Sequence, residues 1–300
     1  MALTRRSVLA AAASALAGAA ASPLAGAAAA QEPVFDDTKP TIGVATPGAE
    51  RLDEIAAAPE IKKSVVKLWT KAPLIGQPNA MQFTRQGTLL LLDQANPNKV
   101  FEVKPEDGSI IRSVQTEAMG GGGICVDDDG KLIITSTKAL ASGGVPVTLR
   151  VEPSSGATIG KWVTPGWGFY GRERAALPGA PPPSPSGGHD VKWAGSGRYW
   201  LAVPASGRIF LMDAKTGKPV RSIPSPINRS HGLAVEGSNL WVAASDFAQI
   251  LRLDPMTGKV LAKVQLSKDD PGLHGLEIQN GTLWYCDSVT GWICKLVSPS

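Results

Sequence analysis

From residue 63 to the C-terminus, short runs of alternating apolar and polar residues are broken by turns rich in Gly, Pro and Asp. Residues 208–213 lead through Ala214-Lys215-Thr216-Gly217 into 218–223, and residues 249–254 lead through Pro255-Met256-Thr257-Gly258 into 259–264. Earlier copies run from Val100 through Gly108 and from Leu149 through Gly156. Period-two alternation on both sides of a Gly-bearing turn predicts a β-hairpin in each case.

A second strand pair precedes each hairpin, as in Leu233-Ala234-Val235 followed by Asn239-Leu240-Trp241-Val242. Each unit therefore holds four antiparallel strands, A to D, and is one blade of an all-β propeller. The A strands begin at Asn79, Gly122, His189, His231 and His274, in steps of 43, 67, 42 and 43 residues. This gives five blades, or six if residues 31–62 or 165–188 hide a degenerate one. The last unit ends after strand C, and residues 63–69 match the missing D strand. An N-terminal strand that completes the last blade would close the ring and remove a bare sheet edge. The long step contains an insertion, residues 166–188, that carries Trp167, Phe169, Tyr170 and Arg172 and ends on His189. It reads either as a surface loop or as a lid that contacts substrate.

Before the repeat lie two other segments. Residues 31–62 are a polar, Pro-bearing arm with a helical turn near 52–57. Residues 1–30 contain Thr4-Arg5-Arg6-Ser7-Val8-Leu9, an Ala-rich run and Ala28-Ala29-Ala30, the layout of a cleaved twin-arginine export signal. The mature chain is then expected in the periplasm or outside the cell, free of the membrane. Loss of Arg5 and Arg6 takes the formal charge from +4 to +2. With no basic cluster, nucleic acid is not an expected partner; a monomer acting on a small molecule is. In an oxidising compartment Cys286 and Cys294, on strands joined by a turn, either face each other as a disulfide or stay reduced. Cys125 reads as a buried thiol rather than a nucleophile.

The chain has three histidines, and all three open an A strand one repeat apart. In a four-stranded meander the start of A and the end of B share one face, and A is innermost. His189, His231 and His274 should therefore converge at the channel mouth, with Asn79 and Gly122 in the same position of the other blades. Asp93, Asp246 and Asp287, at the ends of B strands, join that face. Three imidazoles on rigid strands suit a divalent metal with an open position, zinc first, with iron, copper, manganese or calcium as other choices. The Asp residues would orient imidazoles or move protons. The plainer reading is that each His caps its strand, copied by duplication, and that each Asp caps the following turn.

His-Gly-Leu-x-Val/Ile, then Leu-Trp, then an Asp-bearing loop, at 230–246 and 273–287, resembles the NHL-type and lyase-type propellers. Resemblance to peptidyl-hydroxyglycine amidating lyases implies a metal on His189, His231 and His274. Resemblance to virginiamycin B lyases implies a role for His274 with Asp287. Both families have more blades than five, and Gly122 offers no ligand. Gluconolactonase-type propellers hold a metal with Glu and Asn, a pattern that only Asn79 fits.

The resulting expectation is an exported metal-dependent lyase or hydrolase. His189, His231 and His274 hold the metal, Asp287 or Asp246 handles a proton, and Tyr170 or Arg172 contacts substrate along with Asn79, Trp167, Phe169 and Asp93. The alternatives are a non-catalytic propeller binding a peptide, glycan or protein, and a lactonase-like calcium hydrolase.

Overall fold

The computed structural model describes residues 35–42, 51–96, 99–169 and 185–299. The leader, Tyr170 and Arg172 fall outside them. Five four-stranded antiparallel sheets form the five blades of a propeller. Blade one is β3–β6 (Pro78–Phe83, Leu89–Asp93, Lys99–Val103, Ile110–Gln115), and blade two is β7–β10 (Gly121–Val126, Leu132–Ala139, Pro146–Val151, Thr158–Val163). Blade three is β12–β15 (Asp190–Gly195, Arg198–Val203, Arg208–Asp213, Pro219–Pro224), and blade four is β16–β19 (Ser230–Glu236, Asn239–Ala244, Gln249–Leu253, Val260–Gln265). Blade five combines β20–β22 (Gly275–Gln279, Thr282–Cys286, Trp292–Val297) with the N-terminal strand β2 (Ser64–Thr70), which pairs antiparallel with β22. The expected ring closure is thus formed, and no sixth blade occurs among the described residues.

The core is five seams rather than one centre. Alternate residues of a strand feed different seams, because period two sends them to opposite faces. In β4, Leu90 and Leu92 pack between blades one and two, whereas Leu89 and Leu91 pack between blades five and one. A strand enclosed on both faces therefore reads as an unbroken apolar run, as 89–92 does. The C-to-D turns lock the seams from outside. In four blades the turn glycine has positive φ, and a Cβ there would meet the D strand of the preceding blade: Trp69 at Gly108, Gln115 at Gly156, Trp162 at Gly217, Ile223 and Pro224 at Gly258.

Of the two outcomes open for Cys286 and Cys294, the structure has the reduced one. In the β21–β22 ladder Tyr285 faces Cys294 and Cys286 faces Ile293. A one-residue offset at period two puts the thiols on opposite faces, Cys286 in the seam with blade one and Cys294 in the seam with blade four. All three cysteines are free and buried, and burial pushes the Cys125 thiol well above its ordinary pKa, as suits a packing residue.

The described part of the arm is docked. The helical turn forms as α1 (Leu52–Ala57), which sends Ile55 into the seam between blades three and four. Arg51 donates to the Gly258 carbonyl at 2.6 Å and Glu54 accepts from the Val260 amide at 2.7 Å. Further upstream, β1 (Thr41–Ile42) pairs in parallel with β11 (Gly168–Phe169) at the neck of the insertion. Among the described residues no helix is long and apolar enough to cross a membrane.

Candidate functional site

The inner strands bring the three histidines together at one mouth of the channel. The rings of His189 and His231 lie 5.1 Å apart, those of His231 and His274 4.2 Å apart, with interplanar angles of 24° and 25°. Gly122 cannot join them, because a Cβ there would lie 2.2 Å from the Gly188 carbonyl oxygen.

Each ring has a hydrogen-bonded nitrogen. His189 Nε2 meets Ser186 Oγ at 2.8 Å and His231 Nδ1 meets Ser245 Oγ at 2.9 Å. His274 Nδ1 lies 3.1 Å from the Asn79 carbonyl oxygen. A carbonyl only accepts, so this nitrogen of the neutral ring carries the proton and Nε2 keeps the lone pair. Burial lowers the pKa of His189 to about 3, assisted by the charges of His274 and Arg229. Burial brings His274 to about 4 against the opposing bond to Asn79, and pushes His231 well below 6.5. All three are neutral at ordinary pH.

Neutral imidazoles have the right protonation for a metal, but their placement does not suit one. An imidazole lone pair lies in its ring plane. Stacked rings with centroids 4.2 Å apart and planes inclined at 25° do not direct lone pairs to one point at the ~2 Å of a metal–nitrogen bond. Among the described residues no group of three or more His, Cys, Asp or Glu is placed to hold a metal ion.

The Asp residues do reach this face. Asp93 accepts from the amides of Gly76, Gln77, Ala95 and Asn96 and from the Asn96 side chain. Burial raises its pKa, but the bonds from Asn96, Gln77 and Gly76 outweigh burial and hold it below the usual range. Asp287 accepts from the amides of Gly272, Val289 and Thr290 and from the Thr290 hydroxyl. Both carboxylates thus tie a B–C turn, and for Asp93 and Asp287 also the chain entering strand A. Asp246 lies in the turn Ser245–Phe247, paired with Arg229 at 3.1 Å. Asn79 donates to the carbonyls of Gly121 and Gly122, which ties blade one to blade two. Trp167 is buried and donates to the Asp37 carbonyl at 3.0 Å, while Phe169 lies in β11, so both anchor the arm to the insertion neck.

Sequence reasoning missed Ser186, Ser245 and Arg229. Arg229 immediately precedes β16, and its charge acts on all three imidazoles. Two inter-blade cavities, about 290 and 260 Å³, are lined by A–B turn residues such as Gly130 and Gly237, at the end of the blades away from the histidines.

No family model matches the chain, and no curated protein matches it in sequence. Among solved structures the chain is similar to a glutaminyl cyclase of Myxococcus xanthus, with TM-score 0.57 and 10% identity over 79% of this chain and 97% of that one. A virginiamycin B lyase of Staphylococcus aureus gives TM-score 0.44 and 16% identity over 74% of this chain and 66% of that one. At such identities the likeness is one of fold, and in fold the chain is a five-bladed β-propeller.

Proposed function

We propose that the chain is an enzyme of lyase or hydrolase type that transfers protons to and from a small anionic substrate at the histidine-bearing mouth. The observation that carries this reading is the convergence of the only three histidines, from three neighbouring blades, into one stack of neutral rings. His274 Nε2 is the base, since its Nδ1 is committed to Asn79. An imidazole with a pKa near 4 is a weak base in the free protein, whereas a general base works best near the operating pH. A substrate anion works against this. Bound beside the Arg229–Asp246 pair, it adds negative charge near imidazoles whose pKa is held down by burial, foremost, and by the Arg229 cation, and so raises their pKa. Binding then prepares the base. Once protonated, the same imidazole is acidic enough to return the proton to a leaving group.

The test is turnover of carboxylate-bearing esters, lactones and glutaminyl peptides, each against its amide-capped counterpart. The last probe is chosen because a structural neighbour is a glutaminyl cyclase. His274→Gln should lower kcat on a turned-over probe by about 100-fold or more, and capping the carboxylate should raise KM. Unchanged kcat in the variant would overturn the assignment.

A three-histidine metal centre, zinc first, is the second reading. It is favoured by the neutral rings and by the Nδ1–carbonyl bond of His274, since metal-bound imidazoles commonly donate their other N–H in this way. It requires the rings to turn out of their stack. Metal content is to be compared between the protein and a His189→Ala, His231→Ala, His274→Ala variant; equal, negligible metal in both would remove this reading. The leader supports placing the mature chain in the periplasm or outside the cell.

A further inference from the structure

Just past the histidine positions the inner strands carry Ala80, Gly123, Asp190, Gly232 and Gly275, and two residues further on Gln82, Cys125, Lys192, Ala234 and Glu277. In the first set the strands nearly touch: a Cβ on Gly123 would lie 2.4 Å from Asp190 Cα, and one on Gly232 would lie 2.4 Å from the His274 carbonyl oxygen. Asp190 alone carries a polar side chain there. Its Oδ1 accepts from the Val191 amide at 2.8 Å, and its Oδ2 accepts from the Leu233 amide of blade four at 2.6 Å.

Lys192 is 2% exposed. Its ammonium donates to the carbonyl of Met81 in blade one at 2.5 Å and to that of Ile124 in blade two at 3.2 Å. Glu277 Oε2 of blade five lies 3.4 Å from it and Asp190 Oδ2 lies 3.9 Å away. Glu277 Oε1 accepts from the Ile278 amide, and Oε2 has no hydrogen-bond partner, only the ammonium. These three side chains touch all five blades.

The strands they join are the strands that carry the histidines. Asp190 and Lys192 follow His189, Leu233 follows His231, and Glu277 follows His274. Stability does not account for such a network, because apolar residues of similar volume commonly serve a core as well as a buried ion pair or better. In some proteins a buried polar or ionic group sets the register of the elements it joins.

We propose that Asp190, Lys192 and Glu277 are positioning residues, a shared ionic tie across the channel that sets the spacing and register of the three histidine-bearing strands and so holds the imidazole stack. Its value for catalysis rests on the mouth being the reaction site; the tie itself does not.

The test reads the rings directly. Lys192→Met, Asp190→Ala and Glu277→Gln are combined, so that no buried charge is left alone, and folding is checked by circular dichroism. Imidazole nitrogen shifts and ring-to-ring nuclear Overhauser contacts are then recorded at one fixed pH. A folded variant should lose the His231–His274 ring contacts. A folded variant with wild-type contacts and shifts overturns the proposal. Should the triple variant not fold, Glu277→Gln alone keeps the volume: displaced His274 resonances support the tie, and an unchanged spectrum overturns it. The readout needs no substrate, so failure of the tie and failure of the enzymatic reading are separate results.

Discussion

His274 titrates at 6.5 when unfolded and at about 4 in the folded protein. Between those values the unfolded chain binds more protons, so this group's stabilisation is full above pH 6.5 and is lost as pH falls through 4. Asp190 runs the other way: burial raises its pKa from 3.8 to about 7, so its contribution is full below 3.8 and is lost as pH rises through 7. Comparison with His274→Gln cancels the Asp190 term. Urea denaturation from pH 8 to pH 5 should cost the wild type about 2 kcal/mol more than the variant; parallel losses would contradict a buried neutral ring. The positions of the histidines were legible because three copies share one phase of the repeat. Their stacking was not. A register shift between Ser230 and Leu233 turns His231 out of simple alternation, as the shifts between Pro78 and Ala80 and between Gly121 and Gly123 do for Asn79 and Gly122, while His189 and His274 immediately precede β12 and β20. Arg229 gave no signal, since an exposed loop arginine is ordinary.

At the level of elements, the turn Ala214–Gly217 shows how a short motif holds two blades together. Gly217 has φ of 66°, and a Cβ there would lie 1.9 Å from Trp162 Cγ. Gly87, in an A–B turn, has φ of 82° with nothing within 4 Å. Gly87→Ala should cost about 1 kcal/mol for the left-handed backbone alone. Gly217→Ala adds overpacking and should cost roughly 3 kcal/mol or more; the difference is read from urea midpoints at constant slope, and equal costs would deny the turn its inter-blade role. Such turns were easy to recognise because Asp, Thr and Gly recur at fixed offsets. Asp190, Lys192 and Glu277 were overlooked because charges in an alternating strand suggest a solvent face, and an inner strand has none. The available signal was that Asp190 occupies a slot held by Ala80, Gly123, Gly232 and Gly275 elsewhere. The state of Cys286 and Cys294 was open for a related reason: facing strands do not fix which residues face each other, and an offset of one reverses the answer.

For the whole molecule, the count of five and the closing strand were legible in the repeat, since five A strands have recognisable starts and residues 63–69 match the one absent D strand; only a sixth, degenerate blade in 31–62 or 165–188 was left open. The docking of the arm on blades three and four had no such pattern, being carried by Arg51, Glu54 and Ile55. A chain beginning at Lys71 lacks β2 and leaves β22 as a bare edge. It should lose cooperative thermal unfolding, and appending residues 63–70 after Pro299 through a short turn should restore it, because Ser64 already faces Val297. Calorimetry decides; a sharp transition without β2 would show that closure is dispensable.

The same pairing orders events in time. Of the propeller's strands, β2, which finishes the ring, is synthesised first, and its partner β22 is synthesised last. No segment that stops short of β22 is a finished propeller, and joining β2 to β22 carries the entropy of closing the whole propeller into a loop. Non-local pairing of this kind is slow. A ribosome that stalls before Trp292 therefore releases a chain with four blades built and the fifth bare at the outer edge of β21, and if the chain leaves the cytoplasm folded, its departure must wait for β22.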